Sequence, residues 1–180
     1  MNALRSSRML AAGTSLRIVA CPAIMALLLG HDDTIAAIVF LAATATDWFD
    51  GRLARRWGVT TRLGSFLDTT ADKLLVATTL IALVSVQRAS PWVALVIITR
   101  EFTILGLRGV VAAGGQQLET SMFGKWKATV QFVAIALAIV RPHVVIGHVY
   151  LDQVAMVIAA VVTGVSGVDY LARCTSALRA

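Results

Sequence analysis

Charge is what this chain has least of. Only 14% of its 180 residues are charged and 58% are hydrophobic, whereas a soluble globular chain carries about 25% charged residues. That shortage argues against an ordinary soluble domain. An unusually apolar soluble helical bundle is the alternative, and windows of about 20 apolar residues recurring along the chain disfavour it. Cysteine is nearly absent. Cys21 and Cys174 stand alone, which excludes a disulfide framework and a thiolate metal site. The three histidines, His31, His143 and His148, fall in predicted loops and are assigned no role. Low-complexity tracts, internal repeats and long linkers are also missing, so residues 1–180 are expected to form a single domain. The net charge is +6, but without a binding motif or a soluble basic domain no nucleic-acid partner is expected. The basic excess suits an anionic lipid surface instead.

Six apolar windows are present, at residues 9–29, 35–57, 65–86, 91–113, 121–140 and 149–173. Turn-forming residues separate them, among them Gly30-His31-Asp32-Asp33, Gly58-Val59, Ser90-Pro91, Gly114-Gly115 and Arg141-Pro142. The expected fold is an all-α integral membrane protein, a bundle of six transmembrane helices. Basic residues alternate from loop to loop. Arg5, Arg8, Arg52, Arg55, Arg56, Arg62, Arg108, Lys125, Lys127, Arg173 and Arg179 mark one side, while the opposite loops hold Arg88 and Arg141. Lys and Arg are retained on the cytoplasmic side, so both termini are predicted cytoplasmic. Arg5 and Arg8 before an apolar stretch have the form of a secretory signal, but Arg17 interrupts that stretch.

Against this background four aspartates stand out. Asp47 and Asp50 are three residues apart, and Asp68 and Asp72 are four apart, so each pair lies on one face of its predicted helix. One Asp at a helix centre in a bilayer costs roughly 2.5 to 3.5 kcal/mol. A cation shared between the pairs removes that cost. With a rise of about 1.5 Å per residue, both pairs sit roughly 10 to 16 Å from the turn near residues 58–62. They are therefore expected to face each other across an antiparallel hairpin, just below the cytoplasmic surface. All-oxygen ligands favour a hard divalent ion, Mg²⁺ or Mn²⁺, with Ca²⁺ as substitute or inhibitor and zinc disfavoured. Mg²⁺ commonly completes its shell with water and substrate phosphates, which points to a phosphate-bearing ligand. Gly51, Ala54 and Gly64 keep the surrounding groove open and Arg55 can meet a phosphate. The plainer alternatives are small residues for close helix packing, and arginines that neutralise single aspartates.

Asp47, Asp50-Gly51, Ala54-Arg55, Gly64, Asp68 and Asp72, at these spacings, resemble the signature of the CDP-alcohol phosphatidyltransferase family. Eight fixed positions at about 0.07 frequency each match by chance on the order of 10⁻⁹ times per start site. The resemblance implies a six-helix membrane enzyme, commonly a homodimer, that moves a phosphatidyl group from a CDP-linked lipid to an alcohol and releases CMP. It further implies that Asp47, Asp50, Asp68 and Asp72 gather the divalent ion and that Gly51 and Arg55 contact the CDP part, with Ala54 and Gly64 beside them. Asp72 is the implied general base. Thr14 and Arg17 resemble part of a first-helix pattern and are expected at the CDP-lipid, although Ala11 stands where Asn is common.

Arg100-Glu101, Leu107-Arg108, Gly124-Lys125, Lys127 and Gln131 look like the subgroup that makes phosphatidylglycerol phosphate from CDP-diacylglycerol and glycerol 3-phosphate. Lys73, Arg100, Arg108, Lys125 and Lys127 are then expected to bind the acceptor phosphate. The alternatives are that Lys125 and Lys127 snorkel to the interface and that Arg100 merely pairs with Glu101. The implied location is the inner leaflet of a bacterial cytoplasmic membrane. Phosphatidylglycerol or inositol phosphate as acceptor is the nearest competing reading. A divalent-cation carrier is a more distant one, since it predicts acidic groups in both membrane halves. In the last window, residues 149–162 read as a lipid-facing or dimer-packing helix, and Asp169 and Tyr170 read as boundary residues.

Overall fold

The computed structural model describes the backbone of residues 2–57, 62–113, 122–142, 144–146 and 149–179, and the side chains of 13–46, 64, 66–112, 126–142, 144–145 and 149–173. Six helices account for nearly all of these residues: α1 (Asn2–Leu29), α2 (Asp33–Trp57), α3 (Arg62–Ser85), α4 (Pro91–Ala113), α5 (Met122–Val140) and α6 (Leu151–Arg179). Each coincides with one apolar window. α1 begins seven residues before its window, at Asn2, because helical backbone continues through polar residues once nucleated.

One element was not anticipated. Before α6 two short strands, β1 (Val145–Ile146) and β2 (Val149–Tyr150), pair antiparallel with Val145 opposite Tyr150. β-Branched and aromatic residues favour this geometry, and Leu151 N–H closes the ribbon on Val144 C=O at 3.0 Å.

The chain divides into two compact units, Met1–Val86 and Gln87–Ala180. In the first, α1 packs on both α2 and α3. Its inner stripe is Gly13, Arg17, Ala20, Cys21, Ile24 and Leu28, the spacing of three and four that keeps one helix face inward. α2 answers with Ala36, Ala37, Phe40 and Ala43, and α3 with Ala71, Leu75, Thr79, Ala82 and Leu83. Among the described residues α2 and α3 each pack mainly on α1, and the small residues of α2 allow α1 a close approach. The expected meeting of Asp47 and Asp50 with Asp68 and Asp72 across the hairpin lies outside the described side chains.

In the second unit α6 packs on both α4 and α5. Buried positions on α4 are Ala94, Ile97, Glu101, Ile104 and Val111; on α5 they are Lys127, Gln131, Ala134, Ile135, Ala138 and Ile139. α6 presents Asp152, Met156, Ala159, Ala160, Thr163, Ser166 and Gly167. The part of the last helix expected to face lipid or a second copy is thus two-sided, with Val157, Ile158 and Val161 exposed and its small residues inside.

Around an apolar interior, each unit also buries charged groups and exposes large apolar side chains. Leu16, Val19, Ile38, Leu41, Leu95, Val133, Val161 and Val168 are exposed while Arg17, Glu101 and Lys127 are buried. Hydroxyls on the helices turn back on their own backbone: Thr44 donates to Phe40 C=O, Thr70 to Phe66 C=O and Thr79 to Leu75 C=O, each at 2.8 Å. Among the described residues one helical segment, Leu151–Arg173, is long and apolar enough to cross a membrane by itself. Gly13–Leu29, Asp33–Thr46 and Trp126–Val140 are shorter apolar segments.

Candidate functional site: two polar centres

Two polar centres are built on these stripes, one in each unit. The first is centred on Asp68. Arg17, on the buried stripe of α1, is fully buried, and its guanidinium meets Asp68 Oδ1 at 2.7 Å. A guanidinium N–H also donates to the Asp68 carbonyl at 3.3 Å. Thr14, one turn before Arg17, donates its hydroxyl to Asp68 Oδ1 at 3.4 Å. A buried cation must be paired or it is excluded; Asp68 is what makes Arg17 tolerable inside the unit.

Asp72, one turn on from Asp68, has a different environment. Lys73 Nζ donates to its Oδ2 at 3.3 Å. Its Oδ1 is buried and has no hydrogen-bond partner among the described residues. An orphaned carboxylate oxygen calls for a ligand or a proton donor. Gly64 is half-buried one turn before Asp68. Asp47, Asp50, Gly51, Ala54 and Arg55 lie on the helical backbone of α2, but their side chains fall outside the described residues. So does that of Lys125 on α5.

The second centre gathers α4, α5 and α6 around Glu101. This carboxylate, 1% exposed, forms ion pairs with Lys127 from α5 and with Arg100, whose nearest distance is 3.4 Å. Lys127 is itself buried, which rules out the snorkelling alternative for it. Arg100 does more than pair with its neighbour. Its Nη2 donates to Ser166 Oγ on α6 at 3.0 Å. Arg108, two turns further along α4, lies with its guanidinium carbon 5.5 Å from the centre of the Tyr170 ring, within cation–π range. Arg100 Nε, Arg108 Nε, Gln131 Oε1, Thr163 Oγ1 and the Tyr170 hydroxyl are all buried without a hydrogen-bond partner among the described residues.

The structure thus joins Arg100 and Lys127 through Glu101, sets Arg108 on Tyr170 of α6, and places Lys73 beside Asp72 in the first unit. It puts Thr14 and Arg17 on Asp68. Sequence reasoning missed Ser166, Gly167 and Tyr170, read as the end of an uninformative helix. The signal was there: Asp152, Thr163, Ser166 and Tyr170 recur at helical spacing on one face of α6.

A family model described as CDP-alcohol phosphatidyltransferase matches residues 11–165, most of the chain and all of the aspartate signature. The chain belongs to the CDP-alcohol phosphatidyltransferase family. Among its relatives in that family is the CDP-diacylglycerol–glycerol-3-phosphate 3-phosphatidyltransferase of Bacillus subtilis (strain 168), 39% identical over 145 residues, or 79% of this chain and 75% of the relative. Proteins of the same name from Escherichia coli (strain K12) and Shigella flexneri are 43% identical over 141 residues, covering 76% of each chain. As a phosphatidyltransferase family member the chain carries its aspartate signature on α2 and α3, with α1 packed on both helices.

Proposed function

We propose that this chain is a membrane-embedded enzyme that transfers the phosphatidyl group of CDP-diacylglycerol to glycerol 3-phosphate, giving phosphatidylglycerol phosphate and CMP. Relatives carrying that name at 39 to 43% identity support the chemistry. The observation that carries the acceptor is the second polar centre. There Arg100 and Lys127 pair with Glu101 and Arg108 lies over the Tyr170 ring, and among the described residues the Nε–H groups of both arginines are buried without an acceptor. An excess of positive charge with free donors suits the dianion of a phosphomonoester. Lys125 on α5 would add to it, while Lys73 stands beside Asp72 in the first unit. Phosphatidylglycerol, a phosphodiester with one charge, would leave more of that excess uncompensated.

The donor end is assigned to the aspartates. Their oxygen-only donor set, with the orphaned Asp72 Oδ1, fits a hard divalent cation, Mg²⁺ or Mn²⁺, held by Asp47, Asp50, Asp68 and Asp72. When bound, such a cation neutralises the pyrophosphate and the departing CMP. Gly51, Ala54 and Gly64 would leave room for the CDP part, and Arg55 would pair with it. Thr14 and Arg17 would act on the CDP-lipid by fixing Asp68. Asp72 would take the proton of the acceptor hydroxyl as its oxygen bonds to the lipid-side phosphorus and the bond from that phosphorus to CMP breaks.

The outward-facing apolar residues of both units support a lipid environment, with six membrane-crossing helices and both termini in the cytoplasm. Residues 1–180 would act as one membrane domain, assembled as a homodimer in a bacterial cytoplasmic membrane with the site toward the cytoplasm. CMP release by protein reconstituted with CDP-diacylglycerol and Mg²⁺ or Mn²⁺ tests this reading. Release that depends on glycerol 3-phosphate, and is abolished by a chelator, is expected. Release only with phosphatidylglycerol or inositol phosphate would move the assignment to another acceptor, and none with any alcohol would end the transferase reading.

A further inference from the structure

We infer that Gly167 and Tyr170 on α6 are positioning residues that set the two guanidinium groups of the acceptor centre. The inference rests on the reading of Arg100 and Arg108 as acceptor-phosphate ligands. It concerns a segment that begins just beyond the residues matched by the family model, which end at 165.

A long arginine side chain has many rotamers, and holding a phosphate with two of them requires that most be removed in advance. On α4 itself Glu101 pairs with one end of Arg100, but Ile104 and Val111, which follow the two arginines around the helix, offer no further polar grip. α6 supplies it in two ways. At Gly167 an added Cβ would sit 2.9 Å from Arg100 Cγ, 3.8 Å from its Nε and 3.9 Å from its Cβ. The missing side chain is therefore the space through which Arg100 runs to reach Ser166 Oγ. One turn on, the Tyr170 ring stacks against the Arg108 guanidinium. A planar ring fixes the plane of a guanidinium while leaving its edge N–H groups available. Ser166, Gly167 and Tyr170 occupy one face of α6 within about 6 Å of axial rise, so a single helical turn orients both arginines.

Gly167→Ala is expected to raise the KM for glycerol 3-phosphate about tenfold, with the KM for CDP-diacylglycerol and the thermal unfolding midpoint unchanged or the midpoint higher, because alanine favours helix over glycine. Tyr170→Leu should do the same to the acceptor KM, and Tyr170→Phe, which keeps the ring, should restore it to within about twofold. The decisive measurement is coupling. In an Arg100→Ala background Gly167→Ala should have no further effect on the acceptor KM, and Tyr170→Leu should have none in an Arg108→Ala background. Additive effects would overturn the inference. So would a Tyr170→Phe variant as impaired as Tyr170→Leu, since the hydroxyl would then touch substrate directly. If Arg100→Ala and Arg108→Ala themselves leave the acceptor KM unmoved, the acceptor-centre reading fails; if they raise it while the α6 variants do not, the positioning inference alone fails.

Discussion

Asp68 and Asp72 have the same side chain, lie on the same face of the same helix, and occupy different electrostatic situations. Asp68 Oδ1 takes a buried guanidinium and a threonine hydroxyl, so its charge is compensated before any ligand arrives. Asp72 has one oxygen on Lys73, while its Oδ1 is buried without a hydrogen-bond partner among the described residues. A base must have a lone pair to offer, and that oxygen has one. Asp72→Asn should therefore lower turnover by about 10²- to 10⁴-fold while CDP-lipid binding, followed by protection against thermal unfolding, is largely kept. Turnover close to that of the parent would remove Asp72 as base. The spacing of the aspartates was legible in the sequence because a period of three or four is enough to place side chains on one face. The difference in their surroundings was not. It depends on Arg17, 51 residues away, whose partner a linear pattern does not name.

At the scale of elements the apolar windows found the helices and, for α1 to α5, their last residues to within one position, but not the cap geometry or the packing partners. His31 illustrates the point. It read as a plain loop residue, yet it occupies the left-handed conformation with φ of 63° and completes the C-terminal cap of α1. His31 N–H bonds to Leu28 C=O at 3.2 Å and Asp32 N–H to Leu27 C=O at 2.9 Å, the paired pattern of a Schellman cap. Gln87 and Arg141, with φ of 58° and 47°, stand in the same conformation just after α3 and α5. Each carries a Cβ where glycine would be unstrained. His31→Gly should consequently stabilise the protein by about 1 kcal/mol, read as a higher thermal unfolding midpoint in detergent with unchanged CMP release. A lower midpoint would mean that the imidazole makes a contact worth more than the strain. The β1–β2 ribbon escaped notice for a related reason, since Val144-Val145-Ile146 is as apolar as any helix and hydropathy alone does not separate the two. The central place of α6 in its unit escaped notice because small residues carry little hydropathy signal. In a bilayer they matter more than large ones, as lipid already solvates apolar side chains and close backbone approach becomes the source of packing energy.

For the whole molecule the informative pattern is the reversal of polarity. Arg17, Glu101, Lys127, Gln131 and Asp152 are buried, and Leu16, Val19, Ile38, Leu95, Trp126, Val161 and Val168 are exposed. Among the described residues each unit exposes many large apolar side chains, and that is the physical case for a lipid environment. The distribution of arginine and lysine is the basis of the proposed orientation. Arg88 donates to the Ile139 carbonyl at 3.0 Å and the Arg141 guanidinium lies 5.8 Å from the Tyr150 ring centre. Against these two stand Arg5, Arg8, Arg52, Arg55 and Arg56, whose greater number is the ground for the proposed cytoplasmic placement of the N-terminus. In a background of Cys21→Ala and Cys174→Ser that still releases CMP, Ala89→Cys in the turn between α3 and α4 should react with a membrane-impermeant maleimide on intact bacterial cells. Ser6→Cys should react only after permeabilisation. The reverse pattern would invert the orientation and move the aspartates to the outer face, away from a nucleotide-linked donor made in the cytoplasm; reaction of both cysteines on intact cells would remove the N-terminus from the cytoplasm, and reaction of neither would mean that the α3–α4 turn does not reach the far side.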